Sequence, residues 1–254
     1  MLVHLVSALT LDRTIQYKEV AFSSARVPLA LDGYRFAFVS DIHNMTDETL
    51  AKIVQKLNAE NLDLLVLGGD YSSFGDSAKH TMDALRQIRT KNGVYGVPGN
   101  HDSLSDLTDV MPESEVQLLA NSGVQVQSGL YLGGVEDLYR GFPDVRTALQ
   151  GASPSDFRVL LSHNPDVSML QDTGSVDLVL SGHAHGGQVT LFGMWAPALW
   201  VPGAVSNYGQ RFLSGWALSA DGTPVYVSNG AGTFPGIPRV FARPQVILFT
   251  LQAE

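Results

Sequence analysis

The stretch that decides the fold runs from Val94 to Asp102 and reads Val-Tyr-Gly-Val-Pro-Gly-Asn-His-Asp. Its apolar first part, Val94–Val97, is typical of a short buried strand, which Pro98 ends. Gly99 then lets the backbone turn sharply, because glycine has no Cβ atom that could collide. Three side chains that can bind a metal ion or exchange protons follow at 100–102. Open α/β sheets bind ligands at the carboxyl ends of such strands, so the stretch predicts a site there, with a plain turn as the alternative.

Two similar strands precede this one, and each is followed by a helical segment. Residues 35–40 and 62–67 are nearly continuous apolar runs, which are typical of strands covered on both faces. Apolar residues between 50 and 57 recur at helical spacing, and Thr46 is the expected N-cap of that helix. A second helix is predicted over 77–89. This alternating order predicts a parallel βαβαβ sheet with right-handed crossovers.

The rest of the chain is predicted to add further helices and a second sheet. The predicted elements are helices over 112–120 and 144–149 and strands over 157–161 and 176–180. After residue 188, short apolar runs alternate with turns rich in glycine and proline. This texture indicates antiparallel strands in a second sheet packed on the first. Because no linker or repeat interrupts the sequence, we predict one α/β domain over residues 1–254.

Composition excludes several classes of function. The net charge of −9 argues against binding of a nucleic-acid backbone, and the absence of cysteine excludes disulfides, thiolate metal sites and cysteine nucleophiles. The apolar start, residues 1–9, is shorter than the roughly 20 residues that span a bilayer, and it lacks the basic region of a signal peptide. We predict a cytoplasmic protein whose start is a strand or packed arm, with peripheral membrane contact as the alternative.

Metal-binding residue types cluster at five predicted strand ends, which carry five of the seven histidines. The full set is Asp41, His43, Asp70, Asn100, His101, Asp102, His163, His183 and His185. Residues i and i+2 of an extended segment point the same way, so Asp41 with His43, and His183 with His185, can each face one ion. The single carboxylate of Asp70 could bridge two ions. Such nitrogen and oxygen ligands suit Mn, Fe, Zn or Mg.

These motifs, in this order, resemble those of the calcineurin-like metallophosphoesterase superfamily. They are D-x-H at 41–43, G-D at 69–70, G-N-H-D at 99–102, His163, and G-H-x-H at 182–185. The fuller segments 161–166 and 181–188 resemble the YkuE/YaeI-like branch of bacterial phosphodiesterases. The resemblance implies a two-sheet α/β sandwich of four layers, αββα, with a dinuclear metal centre at the carboxyl ends of its strands.

The resemblance also implies a role for each residue of the set. The first ion would be held by Asp41, His43, Asp70 and His185. The second ion would be held by Asp70, Asn100, His163 and His183. His101 and Asp102 are predicted as catalytic: His101 would stabilise the transition state or protonate the leaving oxygen, and Asp102 would orient His101 or else cap the next segment. Asn44 and Arg239 are candidates for contact with a substrate phosphate, with turn or structural roles as the alternatives.

One departure from the superfamily concerns the substrate. Its Ser/Thr protein phosphatases carry G-D-x-x-D-R, whereas residues 69–74 here read Gly-Asp-Tyr-Ser-Ser-Phe, without the second Asp and the Arg. We therefore expect a hydrolase of small-molecule or lipid-linked phosphoesters, a phosphodiesterase rather than a protein phosphatase. It would cleave a phosphodiester or pyrophosphate bond by in-line attack of a hydroxide shared by two divalent ions, with no obligate protein partner.

Two alternatives stay open at this point. One is a nucleotide-linked lipid hydrolase of the UDP-diacylglucosamine type at a membrane surface, and the other is a non-catalytic binding module on the same fold. An apolar set bears on the first alternative: Phe192, Met194, Trp195, Trp200 and Trp216. We interpret this set as core of the second sheet. The alternative is an apolar wall beside the site, suited to a lipid or a nucleobase.

Overall fold

The computed structural model describes residues 2–43, 45–73, 76–201 and 205–254. The helices are α1 (Leu2–Leu9), α2 (Asp47–Asn58), α3 (Lys79–Leu85), α4 (Leu104–Glu113), α5 (Val145–Ala148) and α6 (Val167–Leu170). The strands are β1 (Gln16–Ser24), β2 (Arg35–Val39), β3 (Leu64–Leu67), β4 (Val94–Gly96), β5 (Val116–Leu118), β6 (Ser122–Gln127), β7 (Leu130–Gly134), β8 (Phe157–Leu161), β9 (Leu178–Ser181), β10 (Gly215–Leu218), β11 (Pro224–Val227) and β12 (Gln245–Ala253).

Two mixed sheets of six strands each carry the fold. The first has the order β1-β12-β2-β3-β4-β5, and the second has the order β10-β11-β9-β8-β7-β6. Strands β2, β3, β4 and β5 run parallel in sequence order, as the βαβαβ prediction requires. In the second sheet, β7, β8, β9 and β11 are parallel, and β6 and β10 are antiparallel edges.

The apolar cores define the layers. The core between the sheets contains Phe36 and Phe249 from the first sheet and Phe157 and Tyr226 from the second. Phe36 and Phe249 stack with ring centroids 4.9 Å apart. Helices α2, α3 and α4 cover the outer face of the first sheet, and α5 and α6 cover that of the second. The predicted four-layer α/β sandwich is confirmed, and the extent of one domain stays a prediction.

Helix α2 shows how local sequence sets an element. The side chain of Thr46 accepts the N–H of Thr49 at 3.4 Å, as expected of an N-cap. Asp47 and Glu48 occupy the first turn, where negative charge is favourable. The inward face is buried as the spacing predicts: Leu50, Ile53, Val54 and Leu57.

Three sequence predictions about elements are wrong. Residues Leu2–Leu9 form a helix instead of a strand or arm, because a short apolar run does not distinguish the two. The helix predicted over 112–120 begins earlier, at Leu104, where the side chain of Ser103 caps it. Its residues beyond Glu113 turn at Glu115, which has a φ of 58°, and enter β5.

The third error concerns the end of the chain. Strand β12 does not join the second sheet; it inserts between β1 and β2 of the first, parallel to β1 and antiparallel to β2. Its nearly continuous buried pattern is that of a central strand. The second sheet instead begins at β6, well before residue 188.

No helix among the described residues has the length and apolar character to cross a bilayer.

Candidate metal centre

The predicted ligands lie together at one end of the sandwich, each just after a strand. Asp41 and His43 follow β2, Asp70 follows β3, Asn100 follows β4, His163 follows β8, and His183 and His185 follow β9. Three of these strands belong to the first sheet and two to the second. The cleft between the sheet ends therefore collects ligands that are far apart in sequence.

The backbone at this end is strained where the ligands lie. Five of them have a φ in the left-handed region: Asp41 (52°), His43 (52°), Asp70 (56°), His183 (66°) and His185 (50°). Each such conformation costs a residue other than glycine about 1–2 kcal/mol. Strain of this kind clusters at functional sites because the surrounding structure holds it in place.

Four residues form a compact set that matches the predicted first-ion ligands. One ligand atom from each of Asp41, His43, Asp70 and His185 lies within 4.8 Å of the other three, and all four residues are buried. Nε2 of His43 lies 3.0 Å from Nε2 of His185, which lies 3.4 Å from Oδ1 of Asp41. Ligands bound at about 2.0–2.2 Å to one ion are spaced in this way.

A second group adjoins the first. Oδ1 of Asn100 lies 2.7 Å from Nδ1 of His183 and 3.0 Å from Nε2 of His163. Oδ2 of Asp70 lies 3.3 Å from Nε2 of His163 and 3.9 Å from Nε2 of His43. One carboxylate oxygen thus faces both groups, in the position that the sequence predicts for a bridging ligand.

The outer nitrogens of three histidines are engaged by the protein. Nδ1 of His163 lies 2.7 Å from the carbonyl oxygen of Gly68, and Nε2 of His183 lies 2.9 Å from that of Val205. Nδ1 of His43 lies 3.0 Å from Oγ of Ser73. Partners of this kind orient metal-binding histidines and leave the inner nitrogen with a free lone pair.

Burial and neighbouring charges shift the pKa values of several residues in the cluster. Burial alone would raise the pKa of Asp70, but His163 and His43 bring that pKa well below its usual value. Asp70 in turn raises the pKa of His163 against the effect of burial. Burial lowers the pKa of His43, and burial together with the nearby Arg239 lowers the pKa of His185. Strongly perturbed groups in a cleft are typical of functional sites.

His101 lies beside the ligands. Its main-chain N–H donates to Oδ1 of Asp70 at 2.8 Å. Its ring lies edge-on to that of His43, with centroids 5.5 Å apart, and 5.4 Å from that of Phe234. The imidazole also lines a cavity next to the ligand cluster. Its role, to stabilise the transition state or to protonate the leaving oxygen, stays a prediction.

Asp102 is buried under the loops that carry the ligands. Its Oδ2 accepts the N–H groups of Asp70 and Gly99 at 2.7 and 2.8 Å, and its Oδ1 accepts that of Tyr71 at 2.9 Å. Burial and the charge of Asp70 raise the pKa of Asp102 to about 7. The carboxylate therefore fastens the loop after β3 to the loop after β4, and its catalytic role stays a prediction.

The two predicted substrate contacts have different outcomes. Asn44 lies outside the described residues. Arg239 is buried, with 3% of its surface exposed, and its guanidinium donates to the carbonyl oxygens of His185, Asn229, Gly232 and Ala242. All five of its N–H groups are used within the protein, so Arg239 has a structural position in place of the predicted contact with substrate.

A cavity of about 580 Å³ opens beside the ligands, and its lining contains none of the five residues that the sequence suggests for an apolar wall beside the site. Besides ligands and His101, the lining residues are largely apolar: Val189, Pro197, Ala198, Val205, Phe234 and Ile237. Part of this wall comes from the glycine- and proline-rich stretch after residue 188. Because that stretch forms loops without periodicity, its sequence does not show which residues face the cavity.

The interpretation of the apolar set as core is wrong for all five members, each of which exposes 40% or more of its surface. Met194 and Trp200 expose 74% and 61% of their surface, and Phe192 and Trp195 are also exposed. Their segment, 189–201, contributes to the cavity wall. Trp216 lies elsewhere, on β10, where its ring packs against Tyr226 with centroids 5.0 Å apart.

Comparison with known proteins agrees with this site. The family described as calcineurin-like phosphoesterase matches residues 34–187, which is more than half of the chain and includes every ligand named above. The chain belongs to the calcineurin-like phosphoesterase family. Members of a metallophosphoesterase family are hydrolases of phosphoric esters, and the Asp and His cluster fits divalent metal ions.

Relatives in several organisms are similar over much of the chain. YkuE of Bacillus subtilis, an uncharacterized metallophosphoesterase, is 28% identical over 94% of this chain and 86% of its own length. An uncharacterized metallophosphoesterase of Helicobacter pylori is 30% identical over 78% of this chain and 53% of its own. A transmembrane protein with metallophosphoesterase domain of Bos taurus is 29% identical over 90% of this chain and 55% of its own length. The chain spans about half the length of the last two.

Proposed function

We propose that the protein is a phosphodiesterase with a dinuclear metal centre that cleaves a phosphodiester or pyrophosphate bond. The observation that carries the proposal is the position of Asp70, whose Oδ2 faces two groups of ligand atoms at once. The first group would comprise Asp41, His43, Asp70 and His185. The second would comprise Asp70, Asn100, His163 and His183. Such N and O donors accept Mn, Fe, Zn or Mg, and Mn²⁺ is the first choice for assay.

The residues of the chain have distinct tasks in this proposal. Divalent ions held there would activate water and neutralise charge on the phosphoryl oxygens, which is most of the catalysis in phosphoryl transfer. Asp102 keeps the loops of Asp70 and Asn100 in register through its four backbone hydrogen bonds. His101 lines the cavity beside the ligands, and this position supports a role for its imidazole as proton donor to the leaving oxygen.

The lining of the cavity favours a diester over a monoester. A phosphomonoester carries nearly two negative charges at neutral pH, and a diester carries one. Among the described residues that line the cavity there is no lysine or arginine to pair with the extra charge. The motif at 69–74 likewise lacks the Asp and Arg of the protein phosphatases. The leaving group would occupy the apolar side of the cavity, near Phe234 and Ile237.

The experiment that tests the proposal is a substrate panel on metal-loaded protein. We expect turnover of bis-p-nitrophenyl phosphate with Mn²⁺ to exceed turnover of p-nitrophenyl phosphate. Asp70→Asn should abolish metal binding and turnover together, because it removes the shared charge. Asp109→Asn, the same change on the exposed face of α4, is the matched control and should behave as wild type. Equal activity of wild type and Asp70→Asn would contradict the proposal.

A second candidate keeps this chemistry but places the substrate at a lipid surface, as in a nucleotide-linked lipid hydrolase. The exposed side chains of Met194 and Trp200 favour it, because they extend from the segment that forms the cavity wall. Residues 184–210 contain no Asp, Glu, Lys or Arg, although the whole chain has a net charge of −9. An uncharged apolar patch beside a site is typical of an interaction surface.

Flotation with phosphatidylcholine vesicles tests this second candidate. Co-flotation that Trp200→Ser reduces would support it, whereas Trp216→Ser, on β10, serves as the control. Recovery of all protein at the bottom of the gradient would exclude it.

The non-catalytic module is disfavoured by the complete ligand set, and inactivity towards every diester with every metal would favour it.

A further inference from the structure

Arg239 has no part in the proposed chemistry, yet it is one of the most enclosed charges in the protein. Its guanidinium is buried directly behind His185. Nη1 donates to the carbonyl oxygen of His185 at 3.0 Å, and Nη2 lies 3.2 Å from Nδ1 of the same residue. Burial lowers the pKa of Arg239 to about 10, so the side chain remains a cation at neutral pH.

The same guanidinium holds the segment 229–232, which follows β11. Nη2 donates to the carbonyl oxygen of Asn229 at 2.7 Å, and Nε donates to that of Gly232 at 3.0 Å. Nε also donates to Oγ1 of Thr233 at 3.2 Å. A planar fork of five donors can reach this many carbonyl oxygens at once, which a lysine cannot do.

Segment 229–232 in turn packs against the ligand Asp41. The N–H of Ala231 donates to the carbonyl oxygen of Ser40 at 2.8 Å, and that of Gly232 donates to the carbonyl oxygen of Asp41 at 2.7 Å. A Cβ atom on Gly230 would collide with the side chain of Asp41, and one on Gly232 with the backbone of Ile42. Arg239 is therefore connected to His185 directly and to Asp41 through one short segment.

The other ligands have different supports. His163 is oriented by the carbonyl oxygen of Gly68 at 2.7 Å, and His183 by that of Val205 at 2.9 Å. Asp41 follows a strand of the first sheet and His185 a strand of the second, so their relative position depends on a connection between the sheets. The hydrogen bonds of Arg239 supply such a connection.

We propose that Arg239 is a positioning residue for one half of the metal centre, the ion held by Asp41, His43, Asp70 and His185. The proposal rests on the two ligand groups of the proposed function. It assigns Arg239 no contact with substrate. Its removal should weaken binding of that one ion, while the ion held by Asn100, His163 and His183 with Asp70 keeps its affinity.

Metal titration of Arg239 variants tests this. Wild type, Arg239→Gln and Arg239→Lys are freed of metal with a chelator and titrated with Mn²⁺ by calorimetry, and bound metal is counted by mass spectrometry. We expect two ions on wild type. On the variants we expect one ion at unchanged affinity and the other weakened about 10–100-fold, as is typical for residues behind metal ligands. Electron paramagnetic resonance should then show a single uncoupled Mn²⁺ in place of a coupled pair.

Arg243→Gln is the matched control, because it removes the same group four residues along the chain. That guanidinium donates to the carbonyl oxygen and Oγ1 of Thr14 at an exposed position. The control should bind both ions as wild type does. Wild-type affinity for both ions in the Arg239 variants, or equal weakening of both, would overturn the proposal.

Two further comparisons keep the outcome decisive. If Arg239→Gln does not fold, Thr233→Val removes one acceptor of Nε at an exposed position and should weaken the same ion to a smaller extent. No change, or a change in both ions alike, would again overturn the proposal. If wild type itself binds fewer than two ions, the dinuclear centre of the proposed function fails instead, so the two failures are distinguishable.

Discussion

Asp70 and His101 illustrate how much a single residue can decide at this site. The carboxylate of Asp70 is buried between histidines of both ligand groups, where its pKa is held low by His163 and His43. The next strand end presents His101, whose N–H donates to Asp70 while its ring reaches the cavity. Both positions were predictable from the sequence, because the motifs that contain them occur in the same order as in the superfamily that the chain resembles.

The change His101→Ala separates metal binding from turnover. We expect kcat to fall by about 10²–10⁴-fold, the usual contribution of general acid catalysis. Metal content should stay at the wild-type level, because the side chain of His101 is outside both ligand groups. Steady-state kinetics on bis-p-nitrophenyl phosphate, together with metal analysis of the same sample, measures both quantities. Loss of metal in this variant would mean that His101 is itself a ligand.

Residue types alone did not reveal the contacts of Asp102 and Arg239. Asp102 follows a histidine, which left its role open, and the structure shows its carboxylate accepting four backbone N–H groups from two loops. Arg239 resembled a phosphate ligand by charge, but its acceptors are carbonyl oxygens from distant segments. Contacts of this kind depend on tertiary folding and carry no local sequence pattern.

Elements were predictable where their signals are local. Helix α2 has a cap and an apolar face, and β2 and β3 are short apolar runs, so their bounds agree with expectation within a few residues. Strand β12 was assigned to the wrong sheet because its pairing with β1 and with β2 is set by contacts across more than 200 residues. The loops after β9 and β11, which complete the site, have neither period nor cap.

The loop after β11 provides a prediction at this scale. Gly232→Ala places a methyl group against the backbone of Ile42, so the loop must move away from the end of β2. We expect the free energy of unfolding to fall by about 1–3 kcal/mol, as is usual when a packed site is overfilled. Urea unfolding of metal-free protein measures it. Gly174→Ala, beside the flexible carboxylate of Asp172, is the control and should be nearly neutral.

At the scale of the whole molecule, the candidate metal centre lies where the ends of the two sheets meet. Ligands after β2, β3 and β4 come from one sheet, and ligands after β8 and β9 come from the other. The core between the sheets holds Phe36 and Phe249 opposite Phe157 and Tyr226. Ions bound at the junction would therefore stabilise the folded sandwich over the unfolded chain.

Thermal unfolding with and without metal measures that stabilisation. An ion present at 100 times its dissociation constant adds about 2.7 kcal/mol. For a chain of this size that corresponds to a rise in Tm of about 5–10 °C. Addition of EDTA should reverse the rise, and Asp70→Asn should show almost none. A Tm that is the same with Mn²⁺ and with EDTA would contradict the assignment of the site.

The central claim is that the carboxylate of Asp70 binds two ions at once. Anomalous diffraction from crystals grown with Mn²⁺ tests it most directly, because each bound ion gives its own peak. We expect two peaks about 3.5–4 Å apart, both adjacent to the carboxylate of Asp70. One peak would lie among Asp41, His43 and His185, and the other among Asn100, His163 and His183. A single peak, or two peaks that do not share Asp70, would contradict this claim.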